Sequence, residues 1–164
     1  MLLAIDCGNT NIVFALYDGD IQRANWRISN DPKRSADEYL VWLAQLMSLK
    51  SLAVDDVTDM IIASVVPEVQ PKLINLASRG FGIVPQVVGD SGIDLGIDIH
   101  IDRPDQAGAD RLVNAVAARD FHDLPAIILD FGTATTFDLI GKGGAYQGGI
   151  IAPGVNLSVE ALYM

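Results

Sequence analysis

Two stretches decide how this chain is read: Leu3-Ala4-Ile5-Asp6-Cys7-Gly8-Asn9-Thr10-Asn11 and Ile127-Ile128-Leu129-Asp130-Phe131-Gly132-Thr133-Ala134-Thr135-Thr136. In each, an apolar strand ends in Asp-x-Gly, small polar residues follow, and a second strand begins. Asp6 and Asp130 stand 124 positions apart, so duplication at the scale of a domain is the economical explanation. Glycine allows a tight turn and close approach of a ligand to the backbone, and successive N–H groups with Thr or Asn side chains can donate to phosphate oxygens. A carboxylate at the strand end would repel bare phosphate, so the pattern makes sense only with a cation or a metal-bound water between them. The pair is expected to act as two jaws around a metal nucleotide. Cys7, with no basic residue near it in sequence, reads as a small buried filler and not a nucleophile.

Around these stretches the chain alternates strand and helix signals. Leu2 to Ile5, Asn11 to Tyr17 and Ile21 to Ile28 form an antiparallel meander, with Asp18-Gly19 as its hairpin turn. Ser35-Ala36-Asp37-Glu38 has capping-box spacing, and Tyr39, Trp42, Leu43, Leu46, Met47 and Leu49 follow at helical intervals. Met60 to Val66 predicts a strand, Glu68 to Arg79 a helix, and Ile83 to Val88 a strand; residues 89–104 predict a loop or edge strand. Asp105 is placed as the cap of a helix running to about Asp120. Strands follow from Ala126 to Leu129, Thr135 to Ile140 and Ala145 to Ile151, and Asn156 or Ser158 would cap a last helix.

The cluster Asp105-Gln106-Ala107-Gly108-Ala109-Asp110-Arg111-Leu112-Val113-Asn114 adds a carboxylate, a guanidinium and an amide. On a helix, Asp110 and Asn114 are i, i+4 neighbours and Arg111 lies one position round, so all three could line one mouth. Solvated surface charge at a helix start is the competing reading.

Composition bounds the rest. The 164 residues carry 11 Lys+Arg and 21 Asp+Glu, a formal charge of −10, and half are hydrophobic. With a mean hydropathy of +0.30 the chain can bury a core. The acidic balance argues against an extended nucleic-acid footprint, which needs a basic stripe. A single cysteine excludes an intrachain disulfide, and with two histidines a Cys/His zinc site is implausible. No apolar run approaches the ~18 residues of a membrane span, and the N-terminus lacks a basic region before its apolar residues. A soluble protein of a reducing cytoplasm is expected. The last helix has barely begun at Met164, so a missing C-terminal portion is expected, with 1–124 as one whole domain and 125–164 as the start of a second.

Taken together, Asp6-Cys7-Gly8-Asn9-Thr10-Asn11, Gly108-Ala109-Asp110-Arg111, Asp130-Phe131-Gly132-Thr133-Ala134-Thr135-Thr136 and Gly148-Gly149-Ile150-Ile151-Ala152-Pro153-Gly154 resemble the type III pantothenate kinases, of the acetate and sugar kinase/heat-shock protein 70/actin superfamily. The resemblance implies an α/β protein with the ribonuclease H-like actin/sugar-kinase fold: one complete domain plus the start of a duplicated second. It implies transfer of the ATP γ-phosphoryl group to the hydroxyl of pantothenate, on the way to coenzyme A. Asp6, Cys7, Gly8, Asn9, Thr10, Asn11, Ile12 and Val13 would form the first ATP phosphate loop, and Thr133 would contact ATP from the second. Gly108, Ala109, Asp110 and Arg111 would hold pantothenate, with Asp110 as proton acceptor. Asp130 would bind a monovalent cation, potassium or ammonium, and magnesium would accompany ATP. A cytoplasmic homodimer is implied for the full-length protein. Ile101-Asp102-Arg103-Pro104 stands where many members carry a substrate-contacting tyrosine before Asp-x-Pro, so that contact is lost or replaced. The competing functions are an ATPase that drives conformational change, against which Gly108-Ala109-Asp110-Arg111 speaks, and a non-catalytic nucleotide-binding or regulatory module.

Overall fold

Alternation along the first strands separates a buried face from an open one. In the computed structural model, which describes residues 1–163, β1 (Leu2–Cys7) turns Leu3, Ile5 and Cys7 inward, and β2 (Asn11–Asp18) turns Ile12, Phe14 and Leu16 the same way. With β3 (Ile21–Ser29) they form the expected antiparallel meander. Two parallel strands, β4 (Asp59–Ser64) and β5 (Gln86–Val87), extend it on the other side of β1, giving the order β3-β2-β1-β4-β5.

Helix α1 (Ala36–Ser48) covers the buried face with Tyr39, Leu43 and Met47, one residue per turn. Its start is the predicted capping box: the Glu38 N–H donates to Ser35 Oγ, and the Ser35 N–H donates to the Glu38 carboxylate at 2.7 Å. The Ser35 backbone and hydroxyl bonds hold the Glu38 carboxyl below its ordinary range. The box therefore contributes stability above the unfolded-state pKa and loses it as pH falls through the lower, folded one. Ser35→Ala is expected to reduce unfolding stability by about 1 kcal/mol, read as a lower urea midpoint at unchanged slope.

Two expectations in this half are corrected. The helix expected over residues 68–79 is α2 (Gln70–Asn75) followed by a wider π-type stretch, Leu76–Phe81. A strand over residues 83–88 shrinks to two residues, because Pro85 removes a ladder donor and Val84 faces solvent.

By packing, the chain divides into two compact units after Ile93. The second holds α3 (Ala109–Phe121) and the antiparallel sheet β6 (Ala126–Phe131), β7 (Ala134–Ile140) and β8 (Tyr146–Pro153), followed by α4 (Val155–Tyr163). Leu112, Ala115 and Ala118 of α3 bury against Ile140 and Tyr146, and Leu95, Ile97, Ile99 and Ile101 close the same cluster. That explains why the packing division precedes α3. The opposite face of this sheet is apolar and open. Ile127, Leu129, Phe131, Phe137, Leu139 and Ile150, brought together by register, are 37–68% exposed.

Helix starts in this unit also differ from expectation. Asp105 does not cap α3: it lies in a 3-10 turn opened by Pro104 and pairs with Arg103 at 2.9 Å, and Gly108 occupies the N-cap position. Neither Asn156 nor Ser158 caps α4, which begins at Val155; the Ser158 hydroxyl instead donates to the Gly154 carbonyl at 3.0 Å. No helix among the described residues is long and apolar enough to cross a membrane.

Candidate active site

The first Asp-x-Gly turn is held in shape by its own backbone and by one residue from the end of β3. The Gly8 N–H donates to the Asn11 carbonyl at 3.0 Å, closing the turn. Asn30 then grips it from outside: its N–H donates to the Thr10 carbonyl at 2.8 Å, and its side-chain Nδ2 donates to the Gly8 carbonyl at 2.7 Å. Nothing in the sequence singles out Asn30. Asp6, Asn9 and Thr10 are exposed, Gly8, Asn11 and Val13 are half-buried, and Cys7 and Ile12 are core residues. Whatever Cys7 and Ile12 offer a ligand is therefore main chain. Burial raises the Cys7 thiol above its ordinary range, consistent with a filler.

The second turn is built alike. Asp130 is exposed at the penultimate position of β6, the Gly132 N–H donates to the Ala134 carbonyl at 2.9 Å, and Thr133 is exposed at the tip. Gly154, just before α4, presses so closely on the carbonyls of Gly132 and Thr133 that a side-chain carbon there would collide with both. No group of three or more His, Cys, Asp or Glu suited to a metal exists among the described residues.

Gly108, Ala109, Asp110 and Arg111 open α3. Ala109 is buried; Asp110 is half-buried and its Oδ1 accepts the Arg111 N–H at 2.8 Å. The first turn of a helix, rich in unpaired N–H groups, favours a carboxylate. The Arg111 side chain turns inward and meets Asp138 of β7. Nε donates to Asp138 Oδ1 at 2.6 Å, and Nη2 approaches the same oxygen at 2.5 Å without hydrogen-bond alignment. The Tyr146 hydroxyl, from β8, donates to that oxygen too, at 2.8 Å. Burial works against the guanidinium charge, but the bond and charge of Asp138 outweigh it and keep Arg111 charged above its usual range. Arg111, expected to help hold a ligand, already spends its Nε edge on Asp138, which leaves the Nη1 end. Asn114 goes elsewhere, to a groove of about 420 Å³ between α3 and β6 that holds none of residues 108–111.

The chain that carries this half-buried carboxylate and pinned guanidinium has relatives among known proteins. The family profile described as type III pantothenate kinase matches residues 2–164. The chain belongs to the type III pantothenate kinase family. It is 57% identical over all 164 residues to the type III pantothenate kinase of Paramagnetospirillum magneticum, covering 63% of that protein, and 57% identical to that of Rhodospirillum rubrum, covering 64%. The chain thus spans somewhat under two thirds of the length of these curated relatives.

The fold likeness is broader than the family. The chain matches the ethanolamine utilization protein EutJ from Carboxydothermus hydrogenoformans over 98% of its length and 56% of that chain, with a TM-score of 0.54 at 15% identity. It also matches the Aquifex aeolicus Ppx/GppA phosphatase over 98% of its length and 54% of that chain, at 0.53 and 12%. In this member of the type III pantothenate kinase family, Ile101 stands half-buried beside the α3 cluster and against Gly148, so its position is occupied by packing. Asp138 and Tyr146 were not found from motifs. The available signal was parity: Asp138 falls between Thr136 and Ile140 on the inward face of β7, where an acid needs a partner.

Proposed function

We propose that the full-length protein transfers the γ-phosphoryl group of ATP to the hydroxyl of pantothenate, the first committed step towards coenzyme A. The observation that carries this reading is the pair at the start of α3, Asp110 beside a fixed Arg111, in a chain of this family. Phosphoryl transfer through a loose transition state needs positioning and charge neutralisation more than covalent help. Asp110 orients the hydroxyl and accepts its proton, Arg111 holds the pantothenate carboxylate through its remaining N–H groups, and Gly108 and Ala109 leave the helix start open to close approach. Asp6, Cys7, Gly8, Asn9, Thr10, Asn11, Ile12 and Val13 receive ATP phosphates, Cys7 and Ile12 by backbone alone, and Thr133 adds a contact from the second turn. Magnesium bound to the nucleotide supplies neutralisation of phosphate charge. Asp130 holds a potassium or ammonium ion.

The same reading makes the protein a cytoplasmic homodimer that binds no nucleic acid or membrane, with residues 1–124 and 125–164 in separate duplicated halves. Support for duplication is that β1-β2-β3 and β6-β7-β8 are both antiparallel meanders carrying the aspartate one residue before the end of the first strand.

The test is incubation of the full-length protein with ATP, magnesium, potassium and pantothenate. ADP formation matched by phosphopantothenate is expected; ATP binding without phosphorylation would favour a regulatory module. Arg111→Lys is expected to raise the pantothenate KM on the order of tenfold, because one ammonium cannot serve both Asp138 and a carboxylate.

A further inference from the structure

We propose that buried Asp138 and Tyr146, with the bare backbone of Gly149, form a clamp whose task is to aim Arg111 at the substrate. The proposal rests on the pantothenate reading above and extends it to three residues that need not touch the substrate.

A fully buried carboxylate is a poor stabiliser of a fold. Removing it from water costs several kcal/mol even after relaxation, and apolar residues of similar volume often serve stability better. Asp138 is 0% exposed, yet Oδ1 alone takes both approaches from Arg111 and the bond from Tyr146, while Oδ2 has no protein partner. Such an arrangement gains direction where it gains little energy. It fixes the Nε edge of the guanidinium, in a side chain that is 14% exposed.

The neighbouring residues are shaped to the same purpose. Gly149 lies opposite Asp138 in the β7–β8 ladder. A side-chain carbon at Gly149 would stand 2.5 Å from Asp138 Oδ1 and collide with Arg111 Nη2 and the Phe137 carbonyl. The bare backbone there is the floor over which Arg111 reaches its partner. Tyr146 supplies the remaining wall, its ring centroid 5.7 Å from the guanidinium carbon, a distance suited to cation–π attraction. Its backbone is fixed from both directions, donating to the Asp98 carbonyl at 2.9 Å and accepting from the His100 N–H at 2.8 Å. Burial first, and then Asp138, push the Tyr146 hydroxyl far above its ordinary pKa, so it stays a donor. Because the Arg111 N–H also holds Asp110 Oδ1, the residue that is clamped is bonded to the residue that accepts the proton.

The test compares full-length wild type, Asp138→Asn, Tyr146→Phe, Arg111→Lys and the double variant Arg111→Lys/Asp138→Asn. Asp138→Asn is expected to raise the pantothenate KM ~10-fold with the ATP KM within ~2-fold, and Tyr146→Phe to raise it less, since the ring remains. In the Arg111→Lys background, Asp138→Asn should add nearly nothing, because groups acting as one unit are not additive. The Arg111 Nε–H resonance, protected from exchange in wild type, should lose that protection in Asp138→Asn and keep most of it in Tyr146→Phe. An unchanged pantothenate KM in both single variants, or a full additional loss in the double variant, would overturn the clamp. Should Asp138→Asn fail to fold, Tyr146→Phe and its Arg111→Lys combination decide by the same criteria. Absence of pantothenate phosphorylation by wild type sinks the underlying reading instead, and the Nε–H protection then still reports on the clamp itself.

Discussion

Asp110→Asn in the full-length protein is expected to lower turnover at least ~10²-fold while ATP affinity stays nearly unchanged. Asparagine keeps the oxygen that accepts the Arg111 N–H, so the start of α3 is preserved and what disappears is the basicity. A positioned base is worth roughly 10²–10⁴ in rate, and a change confined to the transition state lowers kcat and kcat/KM together. Nucleotide affinity is the control, because the residues proposed for ATP lie on the Asp-x-Gly turns. Single-turnover kinetics with ATP titration separates the two; wild-type turnover in the variant would remove Asp110 from its role.

The 164-residue chain taken alone is expected to phosphorylate pantothenate at least ~10²-fold more slowly than the full-length protein, since a misplacement of about 1 Å suffices for such a loss. The reason is the open face of β6, β7 and β8. Ile127, Phe131 and Ile150 are each more than 60% exposed, and an apolar surface of this kind draws a partner or aggregates. The sheet carrying Asp130 and Thr133 is then looser than that of the first unit, whose face is sealed by α1. Hydrogen exchange should protect residues 1–66 more strongly than 126–152. Equal protection, or a rate matching the full-length protein, would contradict this account.

Much of the fold was legible because its signals are local. The meander, the capping box and the neighbouring strands Thr135 to Ile140 and Ala145 to Ile151 each depend on residues within a few positions of one another, and they stand where the alternation and turn chemistry put them. Asp105 misled because an aspartate before an apolar run has the composition of an N-cap, while Pro104 and Arg103 gave it another task. The candidate site was legible in outline, since Asp-x-Gly and Gly-Ala-Asp-Arg are contiguous. Its supports were not. Asn30 reaches back 22 positions and Asp138 reaches Arg111 across 27, separations at which one sequence carries no pairing information.

The grip of Asn30 on the first turn also has a consequence for anyone wishing to transplant that loop into another scaffold. Residues 6–13 excised as a peptide would lose the two bonds that Asn30 makes to the Thr10 and Gly8 carbonyls, and the turn would arrive without its mould. The smallest portable module runs from Leu2 through Asn30, three strands and not one. A chimera built on that boundary inherits the shape of the loop together with the residue that imposes it.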